Sequence, residues 1–456
     1  MTPETVITRR DFVASTAKAV AGTVLLNQLP SSVISSPRAG KRRLAMVGTG
    51  HRGTGMWGTS VLKSYGDIVE FVGLCDINPG RAQTAKRILG TSCPTFTDFE
   101  QMVETTKPET VIVTTVDGTH HTFISKALEM GCDVITEKPL TTSEGKLKQI
   151  IEAQRKSKNK IIVAHNYRYP PTQARLKELL MQERVGRLTS VDFHWYLDVY
   201  HGADYFRRWH RLRENSGTLL NHKASHHFDL LNWWIDSEPE EVHAFGALEF
   251  YGKNHKFRHT HCRPCPFKEK CQFFFDMTKD KRLMELYAAN EKYDGYLRDG
   301  CVWKDDIDIF DKMAVQIRYA NKVQVSYSLT TYSPYEGFRV AFNGTKGRID
   351  FWMHEKQPWP MENFDEIHVT DSFGKAEFIK LPRVEADHYG GDPVLRDTIF
   401  KNPSVPDPLK RAANVRDGAM AVLIGVAARK SIDSGKPFRI TELTDLVPQA
   451  QKPYMG

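Results

Sequence analysis

The chain has few cysteines, no long apolar run and only a small excess of positive charge. Its 456 residues include 7 cysteines, and 63 lysines and arginines against 55 aspartates and glutamates give a net charge of +8. No apolar stretch approaches the roughly 20 residues of a membrane-spanning helix, and no basic run or repeat is present. We therefore expect no nucleic-acid partner and no integral membrane segment. An apolar share of 40% with 26% charged residues also excludes collagen-like, coiled-coil and disordered classes.

The N-terminal segment has the pattern of a twin-arginine export signal. Arg9 and Arg10 precede a mildly apolar stretch, residues 14–26, which Lys18 interrupts, and a polar run follows. This weak hydrophobicity is typical of the twin-arginine route. We predict an export signal over residues 1–36, a basic linker over 37–43 and a periplasmic or exported protein. The alternative is a disordered tail with two chance arginines.

Short apolar segments alternate with helix-like segments from residue 44 to 165. Strands are predicted at 43–47, 68–75, 110–114, 133–136 and 161–164, with helices at 54–63, 80–88, 120–130 and 142–156. This alternation is typical of a parallel sheet covered on both faces. We predict a Rossmann domain over residues 44–165.

The remainder of the chain, residues 166–456, has a different periodicity. Alternating apolar and polar residues predict strands at 188–199, 241–251 and 312–328, with hairpin turns at 319–322 and 344–347. Repeated hairpins indicate an antiparallel sheet. A helix is predicted over 414–434, so we expect a C-terminal domain of mixed α/β structure.

A glycine-rich loop directly follows the first predicted strand and precedes a helix. It consists of Gly48, Thr49, Gly50, His51, Arg52 and Gly53. Glycines at this spacing allow a tight turn and let backbone N–H groups approach a pyrophosphate at the helix N-terminus. The alternative is a glycine-rich turn without a ligand.

An acidic residue ends the second predicted strand. Asp76 is placed to bond both ribose hydroxyls of NAD and to repel the 2′-phosphate of NADP. Arg81, just inside the next helix, leaves room for NADP. We therefore predict NAD as the cofactor, with NADP as the alternative.

Polar residues follow the next two strands at their carboxyl ends, where ligands bind in such sheets. Thr115 and His120 follow the third predicted long strand, and Glu137 and Lys138 precede Pro139 after the fourth. A lysine there can bond a substrate hydroxyl and move its proton. A surface lysine is the alternative on residue type alone.

Together these motifs resemble the Gfo/Idh/MocA family, which includes glucose–fructose oxidoreductase and inositol dehydrogenase. The resemblance rests on the glycine loop, Asp76, the Glu-Lys-Pro at 137–139 and the antiparallel second half. It implies a bound dinucleotide, a large, mostly antiparallel open sheet and a homo-oligomer assembled through that sheet as a dimer or tetramer. It also implies a catalytic role for Lys138.

The same resemblance extends to the segment after the Rossmann domain. Residues 166–169 are similar to the family's segment lining the nicotinamide site. The implied cofactor-binding residues are therefore Gly48, Gly50, His51, Arg52, Gly53, Asp76, Thr115, His120, Glu137, Asn166 and Arg168.

The family's second catalytic motif, Asp-x-Gly-x-His-x-x-Asp, is altered in this chain. His226 and Asp229 match its His and last Asp, but His222 replaces the first Asp and Ala224 replaces the Gly. Helical spacing places His222 and His226 on one face. We expect a proton relay of Lys138 with these two histidines. Packing histidines, or a metal pair lacking an evident third ligand, are the alternatives.

Aromatic residues and polar donors cluster just before this motif. Tyr205, Arg208 and Trp209 combine aromatic faces with hydrogen-bond donors, as sugar-binding sites do. With Lys223 and Asp229 they form the predicted substrate site for a sugar or glycoside. A basic aromatic run can also bind nucleic acid, or form a buried cluster with surface arginines.

Four cysteines fall within an apparent insertion at about residues 255–305. Cys262, Cys265, Cys271 and Cys301 are a candidate four-thiolate site for Zn or an Fe–S cluster. Two disulfides, or free thiols, are the alternatives in an exported protein.

These observations indicate an exported NAD(P)-dependent oxidoreductase that takes hydride from a hydroxyl of a sugar or glycoside. One alternative is an NAD-dependent glycosidase that oxidises its substrate transiently, eliminates the aglycone and reduces again. A second alternative is a nucleotide-bound sugar-binding protein without catalysis.

Overall fold

The computed structural model describes residues 40–453. The predicted export signal over residues 1–36 lies outside the described residues, as do residues 37–39 of the predicted linker. Within the described part of the chain, no helix is both long and apolar enough to cross a membrane.

Six parallel strands form the first sheet, in the order β3-β2-β1-β4-β5-β6. Their bounds are β1 Arg42–Val47, β2 Val69–Cys75, β3 Thr95–Phe96, β4 Thr110–Val113, β5 Asp133–Thr136 and β6 Ile161–Val163. Five of them confirm the predicted strands to within one residue. The sixth, β3, is not predicted, because two residues leave no periodic pattern.

Helices surround this sheet. They are α1 Ser60–Tyr65, which continues a π-helical segment Gly53–Thr59, then α2 Pro79–Leu89, α3 Phe99–Thr106, α4 His120–Glu129 and α5 Glu144–Lys156. Alternate residues of β1 enter two different cores, Ala45 and Val47 in one, Leu44 and Met46 in the other. Both faces of the sheet are therefore buried, as expected for parallel strands.

Local sequence signals fix several helix starts. Asn78 caps α2, where its side chain accepts a hydrogen bond from the N–H of Arg81 and Pro79 is the first helical residue. Asp98 and Ser143 cap α3 and α5 in the same way. These caps direct the chain from each strand end into its helix, which places the connecting loops at one edge of the sheet.

Nine strands form the second sheet, in the order β14-β13-β12-β11-β7-β10-β9-β8-β15. Their bounds are β7 Leu188–Asp198, β8 Pro239–Ala247, β9 Lys312–Tyr319, β10 Gln324–Ser333, β11 Glu336–Gly344, β12 Gly347–Lys356, β13 Phe364–Asp371, β14 Ala376–Pro382 and β15 Phe438–Arg439. All neighbours pair antiparallel except β7 with β10. The mostly antiparallel sheet and both predicted hairpins are confirmed.

One face of this sheet is packed against helices. Val191, Phe193, Trp195 and Leu197 alternate along β7 and are fully buried. The helices of this domain are α6 Pro171–Met181, α7 Val199–Arg207, α8 Arg213–Ser216, α9 Leu219–His222, α10 Ala224–Ile235, α11 Lys281–Leu286, α12 Glu291–Asp294, α13 Gly391–Arg396 and α14 Val415–Ser434. The last of these confirms the helix predicted over 414–434.

The strand predicted over residues 241–251 ends earlier, at Ala247. The carboxylate of Asp311 accepts hydrogen bonds from the backbone N–H groups of Glu249, Phe250 and Tyr251. These donors are therefore directed to one side chain instead of a neighbouring strand. The chain turns there into the insertion, which contains only short helices until β9 begins.

Candidate active site

The glycine loop between β1 and the first helical segment has the close packing of a dinucleotide-binding turn. Gly48 has φ +90°, and a Cβ there would lie 2.6 Å from the carbonyl carbon of Thr114. A Cβ on Gly53 would lie 2.3 Å from the oxygen of Gly48. Only glycine is accommodated at either position without backbone movement. The two glycines thus give the tight turn that a pyrophosphate-binding loop requires.

Asp76 is fixed against this loop. One carboxylate oxygen accepts hydrogen bonds from the N–H of Thr49 at 2.8 Å and from its hydroxyl at 3.0 Å, and the other accepts from the N–H of Asn78 at 2.9 Å. Arg81 lies 3.5 Å from Asp76 and also pairs with Asp294. The charge of Arg81 is therefore already matched by two carboxylates.

Arg52 and Glu137, both predicted to contact the cofactor, bind one another. The Nε of Arg52 donates to Glu137 at 2.6 Å, and its Nη1 donates to Asp392 at 2.8 Å. Trp57 Nε1 also donates to Glu137, at 2.8 Å. Burial alone raises the pKa of Glu137, but Arg52 and Lys138 outweigh it, so this pKa is lowered. The network fixes the glycine loop to the end of β5.

Asn166 joins the same network from the start of the C-terminal domain, where its Nδ2 donates to Asp392 at 2.5 Å. His120 connects two strand ends: its Nδ1 lies 2.8 Å from the oxygen of Pro139 and its Nε2 lies 3.2 Å from the oxygen of Thr115. Both contacts restrain the backbone beside Lys138. The structure therefore gives His120 a positioning role at the carboxyl edge of the sheet.

Lys138 lies at the centre of the polar cluster. Its Nζ donates a hydrogen bond to the backbone oxygen of His222 at 2.8 Å. Burial lowers the pKa of Lys138 to about 8, while Asp117 and Glu137 oppose this change. A lysine with this pKa has a neutral fraction near neutral pH and can accept a proton.

His222 connects Lys138 to a carboxylate from another strand end. Its Nδ1 lies 2.6 Å from Oδ2 of Asp117, while its Nε2 forms no hydrogen bond with residues 40–453. Burial, with Lys138 as the next cause, lowers the pKa of His222 well below its ordinary value. Burial also raises the pKa of Asp117, against the effect of Lys138. The charge of Lys138 thus acts on the pKa of both groups.

The two predicted relay histidines have different neighbours. The ring of His226 lies 4.7 Å from that of Tyr167, whereas the ring of His222 lies 4.1 Å from that of His210. The Nδ1 of His226 is buried and has no hydrogen-bond partner among the described residues. Burial followed by Lys138 lowers the pKa of His226 as well. Both imidazoles are therefore neutral at pH 7.

The predicted aromatic substrate residues lie beside His222. Its ring centre is 5.3 Å from that of Tyr205 and 5.6 Å from that of Trp209. Arg208 pairs with Asp204 at 2.9 Å, and its guanidinium lies 5.9 Å from the Tyr205 ring. The structure thus brings the predicted sugar-binding residues together with the predicted proton relay.

Arg168 and Asp229, predicted to contact cofactor and substrate, are placed differently. Two hydrogen bonds of 2.7 and 2.5 Å join them, and their side chains are 0% and 1% exposed. Asp417 lies 3.3 Å from the same guanidinium. The prediction that Arg168 contacts the cofactor and Asp229 the substrate is therefore corrected. Both side chains are enclosed in the core, where their ion pair supports α10.

Lys223 is also buried, with its Nζ 5.0 Å from the centre of the Trp195 ring. Burial lowers the pKa of Lys223, but Tyr205, Glu355 and Glu336 outweigh it, so this pKa is raised. The group therefore carries a positive charge beside the aromatic residues.

Glu355 and Glu336 of the second sheet are the acidic groups that act on Lys223. Neither was predicted from the sequence. Burial and Glu336 raise the pKa of Glu355 to about 8. Burial opposes ionisation of Glu336, but His201 and Lys223 lower its pKa to about 2. In the sequence, these two glutamates show only the alternation typical of a strand. That alternation does not reveal which loops cover their face of the sheet.

The four candidate metal-binding cysteines line one small cavity in the insertion, apart from the residues around Lys138. All seven cysteines are free thiols. Within the described residues, the group of three candidate ligands with atoms inside 4.8 Å of each other is instead Asp198, His201 and Glu336. Lys356 lies 3.1 Å from Asp198 and supplies a cation to that group.

Two family models match the chain. An NAD-binding Rossmann fold of an oxidoreductase family matches residues 42–165, and the C-terminal alpha/beta domain of the same family matches residues 177–440. The chain belongs to the Gfo/Idh/MocA oxidoreductase family. This confirms the resemblance inferred from the glycine loop and Glu-Lys-Pro.

Several proteins of this family are similar to the chain. The putative oxidoreductase YteT of Bacillus subtilis is 35% identical over 425 residues, which cover 88% of this chain and 98% of that protein. Inositol 2-dehydrogenase of Salmonella typhimurium is 24% identical over 205 residues, 42% of this chain and 56% of that enzyme. The match thus spans about half of the inositol dehydrogenase.

Solved structures share the fold at lower identity. The WlbA dehydrogenase from Bordetella pertussis, in complex with NADH and UDP-GlcNAcA, has a TM-score of 0.60 at 18% identity, covering 88% of this chain and 98% of its own. An oxidoreductase domain protein from Kribbella flavida has a TM-score of 0.62 at 17% identity, covering 88% and 99%. At these identities the likeness establishes the fold.

The resemblance leads to the expectation of an aspartate at position 222 of this Gfo/Idh/MocA protein, where the sequence has a histidine. His222 occupies that position, and Asp117 after β4 supplies a carboxylate at 2.6 Å. Sequence reasoning missed Asp117, although it lies in the polar segment between Thr115 and His120. The position of Asp117 just after a strand end could have identified it as a candidate site residue, since ligands bind there in such sheets.

Proposed function

We propose that this protein is an NAD-dependent oxidoreductase that takes hydride from a hydroxyl-bearing carbon of a sugar or glycoside. The observation that carries the proposal is Lys138 at the carboxyl end of β5, with a pKa lowered to about 8 and Asp117 and Glu137 as electrostatic partners. Binding alone does not require a lysine tuned for proton transfer.

The proposed chemistry assigns the proton to the chain's own residues. Neutral Lys138 accepts the proton of the substrate hydroxyl, and the ammonium so formed is stabilised by Asp117. Bound NAD would supply the hydride acceptor for the carbinol carbon, which would become a carbonyl group. His222 holds Asp117 through Nδ1 and presents Nε2 for a hydrogen bond to substrate.

The residues beside this cluster suit a polyol. Tyr205 and Trp209 offer aromatic faces to the C–H surface of a ring, while Arg208 and Lys223 offer donors to its hydroxyls. Their closeness to His222 supports a sugar or glycoside as the substrate class.

The contacts of Asp76 and Arg81 support NAD over NADP. Asp76 places a carboxylate at the end of β2, where a 2′-phosphate would be repelled. Arg81, the nearby cation suited to such a phosphate, is paired with Asp294 and Asp76.

Single-turnover absorbance of the nicotinamide tests the proposal with a panel of sugars and glycosides. We expect net formation of NADH with at least one polyol or sugar. Release of aglycone without net reduction would identify the alternative glycosidase cycle. If neither occurs with any substrate while sugars still bind, the protein is a sugar-binding protein and the proposal is wrong.

We extend the proposal to export through the twin-arginine pattern at Arg9 and Arg10. Such a route carries folded proteins, which suits an enzyme that must acquire its nucleotide first. Replacing both arginines by lysine should keep the protein in the cytoplasm, as measured by fractionation and immunoblotting. Equal periplasmic amounts of variant and wild type would contradict export by this route.

We also propose that the open face of the second sheet is an interface between copies of this chain. That face carries a groove of about 920 Å³ lined by polar and aromatic side chains, including Arg339 and Trp352. The guanidinium of Arg339 lies 3.8 Å from the Trp352 ring centre. Light scattering should show a dimer or tetramer that Trp352→Glu dissociates, whereas a monomeric wild type would refute the interface.

A further inference from the structure

Four cysteines from two stretches of the insertion converge on one cavity of about 10 Å³. The backbone holds them there: the N–H of Cys265 donates to the oxygen of Cys262 at 3.0 Å, and the N–H of Cys271 donates to that of Phe267 at 3.0 Å. A β-bridge between His261 and Gly300 brings Cys301 beside Cys262. The convergence depends on tertiary structure, since 29 residues separate Cys271 from Cys301 in the sequence (301 − 271 − 1).

Hydrogen-bond donors are directed at two of the sulfurs. Arg207, which is buried, donates from Nη1 to Sγ of Cys262 at 3.1 Å, and its other described hydrogen bonds go to the backbone oxygens of Gly300 and Phe273. The N–H of Trp303 lies 3.4 Å from Sγ of Cys301. Hydrogen bonds of this kind orient the sulfur ligands of a metal site.

The cavity between the four cysteines is small. Its volume near 10 Å³ corresponds to about one water-sized sphere, which suits a single ion. Four thiolates including a Cys-x2-Cys pair are a preferred ligand set for Zn²⁺. No three sulfurs among the described residues have mutual distances inside 4.8 Å, so metal binding would draw them closer, to Zn–S distances of about 2.3 Å.

The insertion bounded by these cysteines covers the dinucleotide-binding loop. The N–H of His51, in the glycine loop, donates to the hydroxyl of Tyr287 at 2.8 Å. Asn78 Nδ2 donates to the backbone oxygen of Asn290 at 2.9 Å, and Arg81 pairs with Asp294. The contacting segment has only short helices of its own, so its position depends on how its ends are held.

We propose that Cys262, Cys265, Cys271 and Cys301 form a structural zinc site that holds the ends of this segment and thereby slows release of the nucleotide beneath it. The zinc site stands on the cysteine geometry alone, whereas the effect on nucleotide release rests on the proposed function. A zinc-held cover of this kind suits a protein that must retain its nucleotide after export.

Metal analysis of the full chain, purified without chelator, tests the zinc site. We expect about one zinc per chain, lost in Cys265→Ser and Cys271→Ser but kept in Cys93→Ser, a buried cysteine of the first domain. Titration of the folded wild type with a mercurial, which binds thiols, should release the zinc. This measurement tests cysteine ligation of the zinc even if the serine variants do not fold. Disulfides by intact mass, stoichiometric iron, or unchanged zinc in both serine variants would each overturn the assignment.

Stopped-flow measurement of NADH dissociation tests the proposed effect of the zinc site on nucleotide release. Cys265→Ser should release NADH about fivefold faster or more, the equivalent of at least one lost hydrogen bond, and Cys93→Ser should match wild type. Tyr287→Phe should also release NADH faster while keeping its zinc. Zinc loss without faster release would overturn the coupling, whereas zinc in a protein that binds no nucleotide would contradict the proposed function and leave the zinc site standing.

Discussion

The Nδ1 of His222 lies 2.6 Å from Oδ2 of Asp117, although the two residues are 105 positions apart. This contact joins the second domain to the carboxyl edge of the Rossmann sheet beside Lys138. The chain thus has a carboxylate in the candidate proton relay, supplied from the turn after β4 and not from the helical motif.

The pH dependence of oxidation should report the pKa of Lys138. Because its neutral form accepts the proton, kcat/KM should rise about tenfold per pH unit below pH 8 and level off above it. Asp117→Asn removes a carboxylate that raises this pKa, so the midpoint should move to lower pH. An unchanged midpoint in the variant would contradict the coupling of Asp117 with Lys138.

Removal of the Lys138 amine should impair chemistry and leave nucleotide binding intact. General acid–base groups contribute about 10²–10⁴-fold, so Lys138→Met should slow single-turnover NADH formation by that factor. The Kd for NAD, measured by fluorescence titration, should be nearly unchanged. Lys126→Met on α4, where Lys126 pairs with exposed Glu100, is the matched control and should react at the wild-type rate. Wild-type turnover in Lys138→Met would refute the catalytic assignment.

His222 should act through the same unit as Lys138. His222→Asn alone should reduce the single-turnover rate, because Asp117 loses its imidazole partner. The double variant with Lys138→Met should be little slower than Lys138→Met alone, as for groups that act together. Fully additive losses would mean that the two residues act independently.

Cofactor preference should depend on Asp294 through Arg81. Asp294→Asn leaves the guanidinium of Arg81 with less negative charge around it. NADP should therefore bind more tightly, and the gap between the affinities for NAD and NADP should narrow. Titration of both nucleotides into stripped protein measures this gap. Tighter binding of NADP than NAD by the wild type would contradict the role given to Asp76.

The buried pair of Arg168 and Asp229 should matter mainly for stability. Arg168→Met leaves Asp229 and Asp417 without a shared cation in the core, and the free energy of unfolding should fall by about 3–5 kcal/mol. Arg439→Met, at an exposed pair with Glu241, should change it by less than about 1 kcal/mol. Urea unfolding measures both variants, and equal effects would contradict the burial argument.

The sequence by itself determined the glycine loop, the position of Lys138 and the strand and helix order of the Rossmann domain apart from β3 and α3. These features depend on residues close together in the chain: apolar strands, caps such as Asn78, and glycines that leave no room for a Cβ. Hairpin turns determined two antiparallel pairs of the second sheet, β9 with β10 and β11 with β12, for the same reason.

Only the tertiary structure decided which polar residues meet. Asp117 reaches His222, Glu336 acts on Glu355, and Arg168 turns inward to Asp229. Each of these contacts joins residues on different elements, and its charge state follows from burial that no local pattern encodes. The placement of the insertion over the dinucleotide loop was decided in the same way, because Tyr287 meets His51 only when the chain is folded.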